Sequence, residues 1–301
     1  MSTKKIVIAG LFGLVGIFGS SFAANIAWNT PDGNWDDDAS WSGSVQPGAT
    51  DSAYINKWKA TIDSDVGSID SLYAGYTDLT GYLDIVAGGN LLVTSENGRI
   101  GRSGYVNSVG VITMSGGTLQ YGASQDKRLI LGLDSSVANG EQGMMTISGG
   151  TFAGQLLVGQ NLVGGSIDTF RVEGDAATIG STAITSTHGL DLRYTGVLEF
   201  AFNGTGISTM SFADTGSFHS NSKIVVDGAE YVGGAGSFAL IDCSSFSGSS
   251  QVTLQNFSDE VSYDWDAENG DLIVTVVPEP ASIALLFLAG ACLFVRRRFF
   301  F

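Results

Sequence analysis

The feature that most constrains this chain is a strand-like segment that recurs five times between residues 75 and 204. In each copy apolar residues alternate with mostly polar ones, which is the period of a β-strand with one buried face. The copies occupy residues 81–85, 110–114, 143–147, 168–172 and 196–200. No helical pattern intervenes between the copies. A repeat with a period of 20 to 33 residues predicts a solenoid in which each copy belongs to one turn.

Glycines mark the positions at which each copy is predicted to turn. Three of the five copies are soon followed by Gly-Gly and another apolar residue, at residues 88–91, 116–119 and 149–152. Because glycine tolerates turn conformations that other residues avoid, these pairs predict a corner between strands. A glycine preceded by an apolar residue predicts a second corner at Gly75, Gly101, Gly132, Gly159 and Gly180. An antiparallel β-sandwich would show the same alternation, but the recurring Gly-Gly corner favours a right-handed parallel β-helix.

The alternation also predicts which side chains meet between neighbouring turns. Inward residues at equivalent positions would stack into two ladders that form the core. The first ladder is Leu83, Ile112, Met145, Phe170 and Leu198, and the second is Ile85, Met114, Ile147, Val172 and Phe200. The residues between them would face outward, which places Arg171 of one turn beside Glu199 of the next as a surface ion pair.

Both ends of a solenoid must be closed, because an open turn exposes unpaired backbone and the ends of the apolar ladders. In the upstream flank, residues 24–74, Trp28, Trp35 and Trp41 precede a strand at residues 53–55. This opening resembles the start of autotransporter-like exported β-solenoid proteins. We expect the three tryptophans to form a hydrophobic cap on the first turn, with a sugar-stacking platform as the alternative that would make them glycan contacts.

The downstream flank, residues 205–277, is predicted to form irregular final turns and a β cap after the repeats at 75–204. Its strand-like segments are residues 224–226, 238–241, 252–254, 261–263 and 272–274. Asn269-Gly270 predicts a terminal hairpin turn. The serine-rich residues 244–250 predict a flexible connection.

The first 23 residues have the pattern of a secretory signal peptide. Two lysines precede an apolar run over residues 6–18, and small residues follow. Cleavage between Ala23 and Ala24 would place Ser21 and Ala23 at the two positions that signal peptidase reads. An uncleaved membrane anchor is the alternative.

The last 24 residues, 278–301, combine a tripeptide, an apolar stretch and a basic cluster. The tripeptide is Pro278, Glu279 and Pro280, and the cluster is Arg296, Arg297 and Arg298. This arrangement resembles the PEP-CTERM sorting signal of Gram-negative bacteria, in which an exosortase recognises the tripeptide and processes the tail. The apolar helix of about 22 Å would span an inner membrane only marginally, with the arginines cytoplasmic. An ordinary C-terminal anchor is the alternative.

Composition argues against several kinds of function. The chain has 14 basic against 30 acidic residues, and removal of both ends would leave nine against 29. Such a charge disfavours a nucleic acid or an anionic membrane surface as partner. Two cysteines and two histidines lack metal-ligand spacing, so no metal or cofactor is predicted. The run at residues 36–38 could supply oxygen ligands to calcium, but it is more typical of a solvated acidic loop.

The parallel β-helix is also the fold of pectate lyases and polygalacturonases, so a glycan-active enzyme is the rival interpretation. This chain resembles such enzymes only loosely. Residues 168–199 include the candidate residues Asp168, Asp191 and Arg193, but not in a recognisable catalytic arrangement. We therefore predict an exported structural or adhesive protein of the cell surface or extracellular matrix, without catalysis. Signal peptidase and exosortase would process it, and exopolysaccharide is a candidate partner. A polysaccharide-binding or polysaccharide-cleaving β-helix is the alternative.

Overall fold

In the computed structural model, 64% of the residues that the structure describes are in strands, which build a β-solenoid of about seven turns. The structure describes residues 23–277 apart from position 78 and the segments 95–97, 102–107, 123–127, 133–141, 160–165 and 182–188. The predicted all-β solenoid is confirmed. The predicted signal peptide up to residue 22 and the predicted tail helix lie outside the described residues.

The strands, numbered in chain order, form two sheets. The first sheet contains β1 (Asn25–Ala27), β3 (Ser52–Ile55), β6 (Ser71–Ala74), β9 (Gly98–Ile100), β11 (Arg128–Leu131), β13 (Gln155–Val158), β16 (Leu190–Leu192), β19 (Gly216–Phe218) and β22 (Phe246–Gly248). All neighbours in this sheet pair in parallel.

The second sheet has two rows of strands. The proximal row contains β2 (Asp32–Asn34), β4 (Trp58–Ile62), β7 (Thr80–Ile85), β10 (Val109–Tyr121), β12 (Gln142–Ala153), β14 (Asp168–Glu173), β17 (Gly196–Gly204), β20 (Lys223–Tyr231) and β23 (Gln251–Gln255). The distal row contains β5 (Asp65–Ile69), β8 (Asn90–Val93), β15 (Ala177–Ser181), β18 (Met210–Phe212), β21 (Gly236–Asp242), β24 (Glu260–Asp266) and β25 (Asp271–Val277). The long strands β10 and β12 run through both rows. Each complete turn therefore visits the first sheet, the proximal row and the distal row in that order.

Both predicted core ladders are present in the predicted register. Ile112 of β10 lies between Leu83 of β7 and Met145 of β12, and the stack continues through Phe170 and Leu198. The second ladder, which runs from Ile85 to Phe200, is paired in the same way. All ten side chains are fully buried. Because parallel turns repeat in register, each side chain packs on its equivalent above and below, which makes the core a continuous apolar column.

Glycine occupies the two corners that the sequence predicts, with one correction. Gly88, Gly117 and Gly150 of the Gly-Gly pairs have positive φ at the corner between the proximal and distal rows. The second corner follows the first-sheet strands, as at Gly132 after β11, where the backbone also has positive φ. The assignment of Gly180 to this corner is wrong, because it lies inside β15 of the distal row. Its true equivalent is Arg193, which directly follows β16.

The final turns are more regular than the sequence indicates. Ile224 and Val226 of β20 extend the two core ladders, and β23 continues them in parallel register. The five predicted strand segments fall within β20, β21, β23, β24 and β25. The predicted flexible connection is wrong, because Phe246 in the serine-rich segment is buried and belongs to β22.

The two ends of the solenoid are closed differently. At the N-terminal end, Trp41 packs edge to face against both Trp28 and Trp35. The ring centroids are 5.0 Å apart in the first pair and 4.6 Å apart in the second. At the C-terminal end, β24 and β25 form an antiparallel hairpin, and β25 pairs antiparallel with β21. The predicted hairpin turn at Asn269 and Gly270 lies between these two strands.

Candidate functional sites

The three predicted tryptophan contacts lie inside the N-terminal end of the solenoid. Trp28, Trp35 and Trp41 are 3%, 0% and 1% exposed. The indole N–H of Trp41 donates a hydrogen bond to the Trp35 carbonyl oxygen at 2.7 Å. Stacking on a sugar requires an accessible ring face, which these residues lack in the folded end. The burial therefore corrects the glycan-contact alternative and favours the predicted hydrophobic cap.

The acidic run beside these tryptophans has separate structural contacts. Asp37 accepts hydrogen bonds from the backbone N–H of Ala39 and the hydroxyl of Ser40, and so caps the 3₁₀ turn Asp38–Ser40. Asp38 accepts a hydrogen bond from the backbone of Gln46. Among the described residues, no group of three acidic, histidine or cysteine side chains is arranged to hold a metal ion.

Asp168, a candidate catalytic residue of the glycan-active enzyme interpretation, is buried at a corner of the solenoid. Its side chain accepts hydrogen bonds from the backbone N–H of Gly143 at 2.8 Å and from the hydroxyl of Thr195 at 3.2 Å. It occupies the position at which the other predicted copies begin with glycine, and its carboxylate lies against Gly132. The side chain fills a space that the backbone occupies at the other corners, so its contacts are structural.

Asp191 and Arg193, the other nominated residues, form a salt bridge on the first sheet. The Arg193 Nε lies 3.0 Å from the Asp191 Oδ2, and Arg128 from two turns earlier lies 4.0 Å from the same oxygen. The Asp191 side chain is 7% exposed. The structure therefore brings these two together but places Asp168 at the corner among Gly132, Gly143 and Thr195.

The predicted pair of Arg171 and Glu199 is present and belongs to a larger cluster. The Arg171 guanidinium contacts Glu199 of the next turn and lies 2.6 Å from Glu173 of its own strand. A shallow groove beside it is also lined by Asp227 and Asn203. Partial burial lowers the pKa of Arg171, but the hydrogen bond to Glu173 and the surrounding carboxylates outweigh it and raise the pKa above its usual value.

Glu173 and Asp227 are the members of this cluster that sequence reasoning missed. Glu173 follows Arg171 by two residues, so the same alternation that placed Arg171 outward could have found it. Asp227 lies two turns further along the same outward row, through Ala201. Burial tends to raise the pKa of Asp227, but hydrogen bonds from Asn256, Ala229 and Gln255 hold it below its usual range. The cluster links three successive turns by charge and hydrogen bonds.

The free thiol Cys243 is unsuited to nucleophilic chemistry. The residue is buried, and burial raises the pKa of the Cys243 thiol to about 12. Because the thiolate is the reactive form, this group is protonated at neutral pH.

The two predicted processing positions lie at opposite ends of the described chain. Ala23 and Ala24 are exposed and directly precede β1. At the other end β25 runs to Val277, and Val276 is buried between its antiparallel neighbours. The predicted sorting residues follow without a linker but lie outside the described residues: Pro278, Glu279, Pro280, Arg296, Arg297 and Arg298.

A family model described as a PEP-CTERM protein-sorting motif matches residues 276–298. The tail is a PEP-CTERM sorting signal. The match includes the tripeptide and all three arginines, so the resemblance seen in the sequence is confirmed. The PEP-CTERM signal indicates an extracellular protein that an exosortase processes and sorts to the cell surface.

The PEP-CTERM match begins inside the folded body, because residues 276 and 277 are the last two of β25. No curated protein and no solved structure matches the chain. Within the part of the chain that the structure describes, there is no helix of the length and hydrophobicity needed to cross a membrane.

Proposed function

We propose that the body is a non-enzymatic structural or adhesive element, displayed on the surface or in the extracellular matrix of a Gram-negative bacterium. The observation that carries this proposal is the use of outward polar side chains as links between turns. Lys59 lies 3.2 Å from Asp84 of the next turn, and Thr113 of the following turn donates to the same carboxylate at 2.7 Å. Further along the same row, Arg171 pairs with Glu199.

Such cross-links suit a protein that must keep its shape outside the cell. In a solenoid each turn contacts only its neighbours, so stability is approximately a sum of turn-to-turn interfaces. Each exposed pair contributes only about 0–1 kcal/mol, but a row of them adds to the buried ladders at every interface. The polar row is therefore consistent with a mechanical role for the body.

The contacts of the nominated catalytic residues also support a role without catalysis. A general acid or base must reach the scissile bond of a substrate. Asp168 is instead fully buried at a corner, and Asp191 is enclosed by Arg193 and Arg128. These carboxylates serve the fold in the structure.

The proposed route to the surface uses both ends of the chain. Signal peptidase would remove residues 1–23, and the apolar tail helix would hold the exported body at the inner membrane until exosortase processes residues 278–301. The body of residues 24–277 would then carry nine basic and 29 acidic residues. A high net charge of one sign keeps an exported protein soluble and separate from its copies.

A polysaccharide array with simultaneous assay of product release tests the role directly. We expect the processed protein to release no oligosaccharide from acidic or neutral bacterial polysaccharides, whether or not it binds them. A deletion strain should lose attachment or matrix cohesion, and expression of the native chain should restore it. Oligosaccharide release by the processed protein would contradict the proposal and support the polysaccharide-cleaving alternative.

A further inference from the structure

The first described residues lie at the edge of the first sheet, where the side chain of Asp51 accepts a hydrogen bond from the backbone. The backbone nitrogen of Ala24 donates a hydrogen bond to the Asp51 Oδ1 at 2.9 Å. The backbone of Ser52 donates to the Ala24 carbonyl oxygen at 2.8 Å, which begins the pairing of β1 with β3. The other oxygen of Asp51 accepts the backbone N–H of Gly48 at 2.9 Å. The Asp51 carboxylate is therefore fixed in place by its own loop.

A second aspartate follows Asp51 in the next turn. The backbone N–H of Asp70 donates to the carbonyl oxygen of Asp51 at 2.8 Å, so the two residues occupy neighbouring positions in successive turns. The Asp70 side chain accepts a hydrogen bond from the Ser71 hydroxyl. In the salt bridges between described residues, neither aspartate takes part. A positive charge on the Ala24 nitrogen would meet a favourable potential there.

We propose that signal peptidase cuts between Ala23 and Ala24 and that Asp51 binds the α-ammonium group created by the cut. Hydrolysis adds one water across the peptide bond, leaves a carboxylate on Ala23 and converts the Ala24 nitrogen from an amide into an amine. An α-amino group has a pKa of about 7.7–8.0, so it is protonated at neutral pH. The neutral hydrogen bond to Asp51 then becomes a charge-assisted one.

The contact with Asp51 distinguishes this cut from cuts at the adjacent bonds. A cut one residue later would remove the nitrogen that Asp51 binds, and a cut one residue earlier would leave that nitrogen an amide and place the ammonium on Ala23. Processing therefore strengthens the edge of the N-terminal end only when Ala24 is the first residue. The inference rests on the predicted signal peptide and not on the role of the body at the cell surface.

Terminal sequencing and a one-residue insertion test the inference on the exported protein. Sequencing should give Ala24 as the first residue. In a matched variant, one glycine between Ala23 and Ala24 keeps the Ala24 hydrogen bond as an amide but moves the ammonium away. Near pH 6.5 the insertion should lower the Tm by about 1–3 °C. The pairing raises the pKa of the amine in the folded protein above its usual value of about 7.7–8.0, so the Tm difference should shrink as the pH rises past that range and be absent by about pH 10.

Asp51→Asn should abolish the Tm difference between the native protein and the insertion variant, whereas Asp65→Asn, at an exposed position at the start of β5, should preserve it. A different first residue would overturn the assigned cut. Equal Tm values for the two starts, with Ala24 confirmed as the first residue, would overturn the ion pair. Neither result depends on where the protein is finally sorted.

Discussion

At the N-terminal end of the solenoid three tryptophans are enclosed by the first turn, whereas at the C-terminal end the chain reverses and leaves much of its last hairpin exposed. The N-terminal seal is made of side chains, since Trp35 and Trp41 are among the largest fully buried residues. The C-terminal seal is made mostly of backbone, since β25 pairs antiparallel with β21 and β24.

The difference follows from what each end must do. At the N-terminal end, an apolar plug of three tryptophan side chains closes the column. An antiparallel hairpin protects the distal-row edge and brings the chain out at Val277, where the sorting signal begins. The C-terminal end therefore combines the closure of the fold with the attachment of its sorting signal.

The largest expected effect separates the two seals. Trp35→Ala should lower the free energy of unfolding by about 3–5 kcal/mol, because it opens a large cavity in a fully buried site. Trp265→Ala, at a ring that packs on Phe218 and Phe246 but is only partly buried, should cost about 1–2 kcal/mol. Urea titration followed by circular dichroism measures both. Equal losses would show that the two ends are sealed with the same energy.

A glycine comparison extends the test to the turns between the ends. A Cβ on Gly143 would lie 2.3 Å from the Ile100 carbonyl oxygen and 2.4 Å from the Gly132 nitrogen, whereas a Cβ on Gly234 would meet nothing within 4 Å. Gly143→Ala should therefore cost about 1–3 kcal/mol of unfolding free energy, and Gly234→Ala should change it by less than about 0.5 kcal/mol. The same urea titration distinguishes them, and a neutral Gly143→Ala would contradict the tight corner.

The regular turns could be predicted from the sequence because one rule repeats in them. Alternation fixed the inward residues of both ladders and paired Arg171 with Glu199, as the structure has them. The rule failed where a single residue departs from it. Arg193 replaces glycine at one corner, so the search for an apolar residue before glycine selected Gly180 in a different row.

The remaining misses arise from packing that the local sequence does not encode. The serine-rich segment looks flexible, yet its phenylalanine, Phe246, packs on Phe218 and Trp265, which belong to other strands outside the segment. In the sequence, Asp168 resembles a catalytic carboxylate. Its structural role was not visible there, because its burial and its contact with Gly143 depend on how two turns stack. The sorting signal was predictable in full because a processing enzyme reads it as a short linear segment.

The smallest expected effect concerns charge in the exposed C-terminal hairpin. Asp271 lies opposite Asp242 on one side and Asp266 on the other. Burial, and then the charges of these two carboxylates, raise the pKa of Asp271. A carboxyl whose pKa is raised by folding destabilises the folded state once it ionises, and this cost is absent below its unfolded pKa.

Asp271→Asn should therefore raise the Tm by about 1–3 °C at pH 7 and leave it unchanged near pH 3. Asp264→Asn on the same hairpin is the matched control, since the residue across from it is Ile273. A thermal melt at the two pH values measures the effect. A stabilisation of equal size at both would assign it to something other than carboxylate repulsion.

The most direct test of the account is the location and mass of the protein with and without its sorting tripeptide. In the bacterium that makes it, the native chain should leave the inner membrane and reach the cell surface or matrix with a mass that lacks tail residues. A variant with Pro278→Ala, Glu279→Ala and Pro280→Ala should stay in the inner membrane at its unprocessed mass, while a Ser282→Ala control behaves as the native chain. The same location and mass for all three proteins would contradict the account.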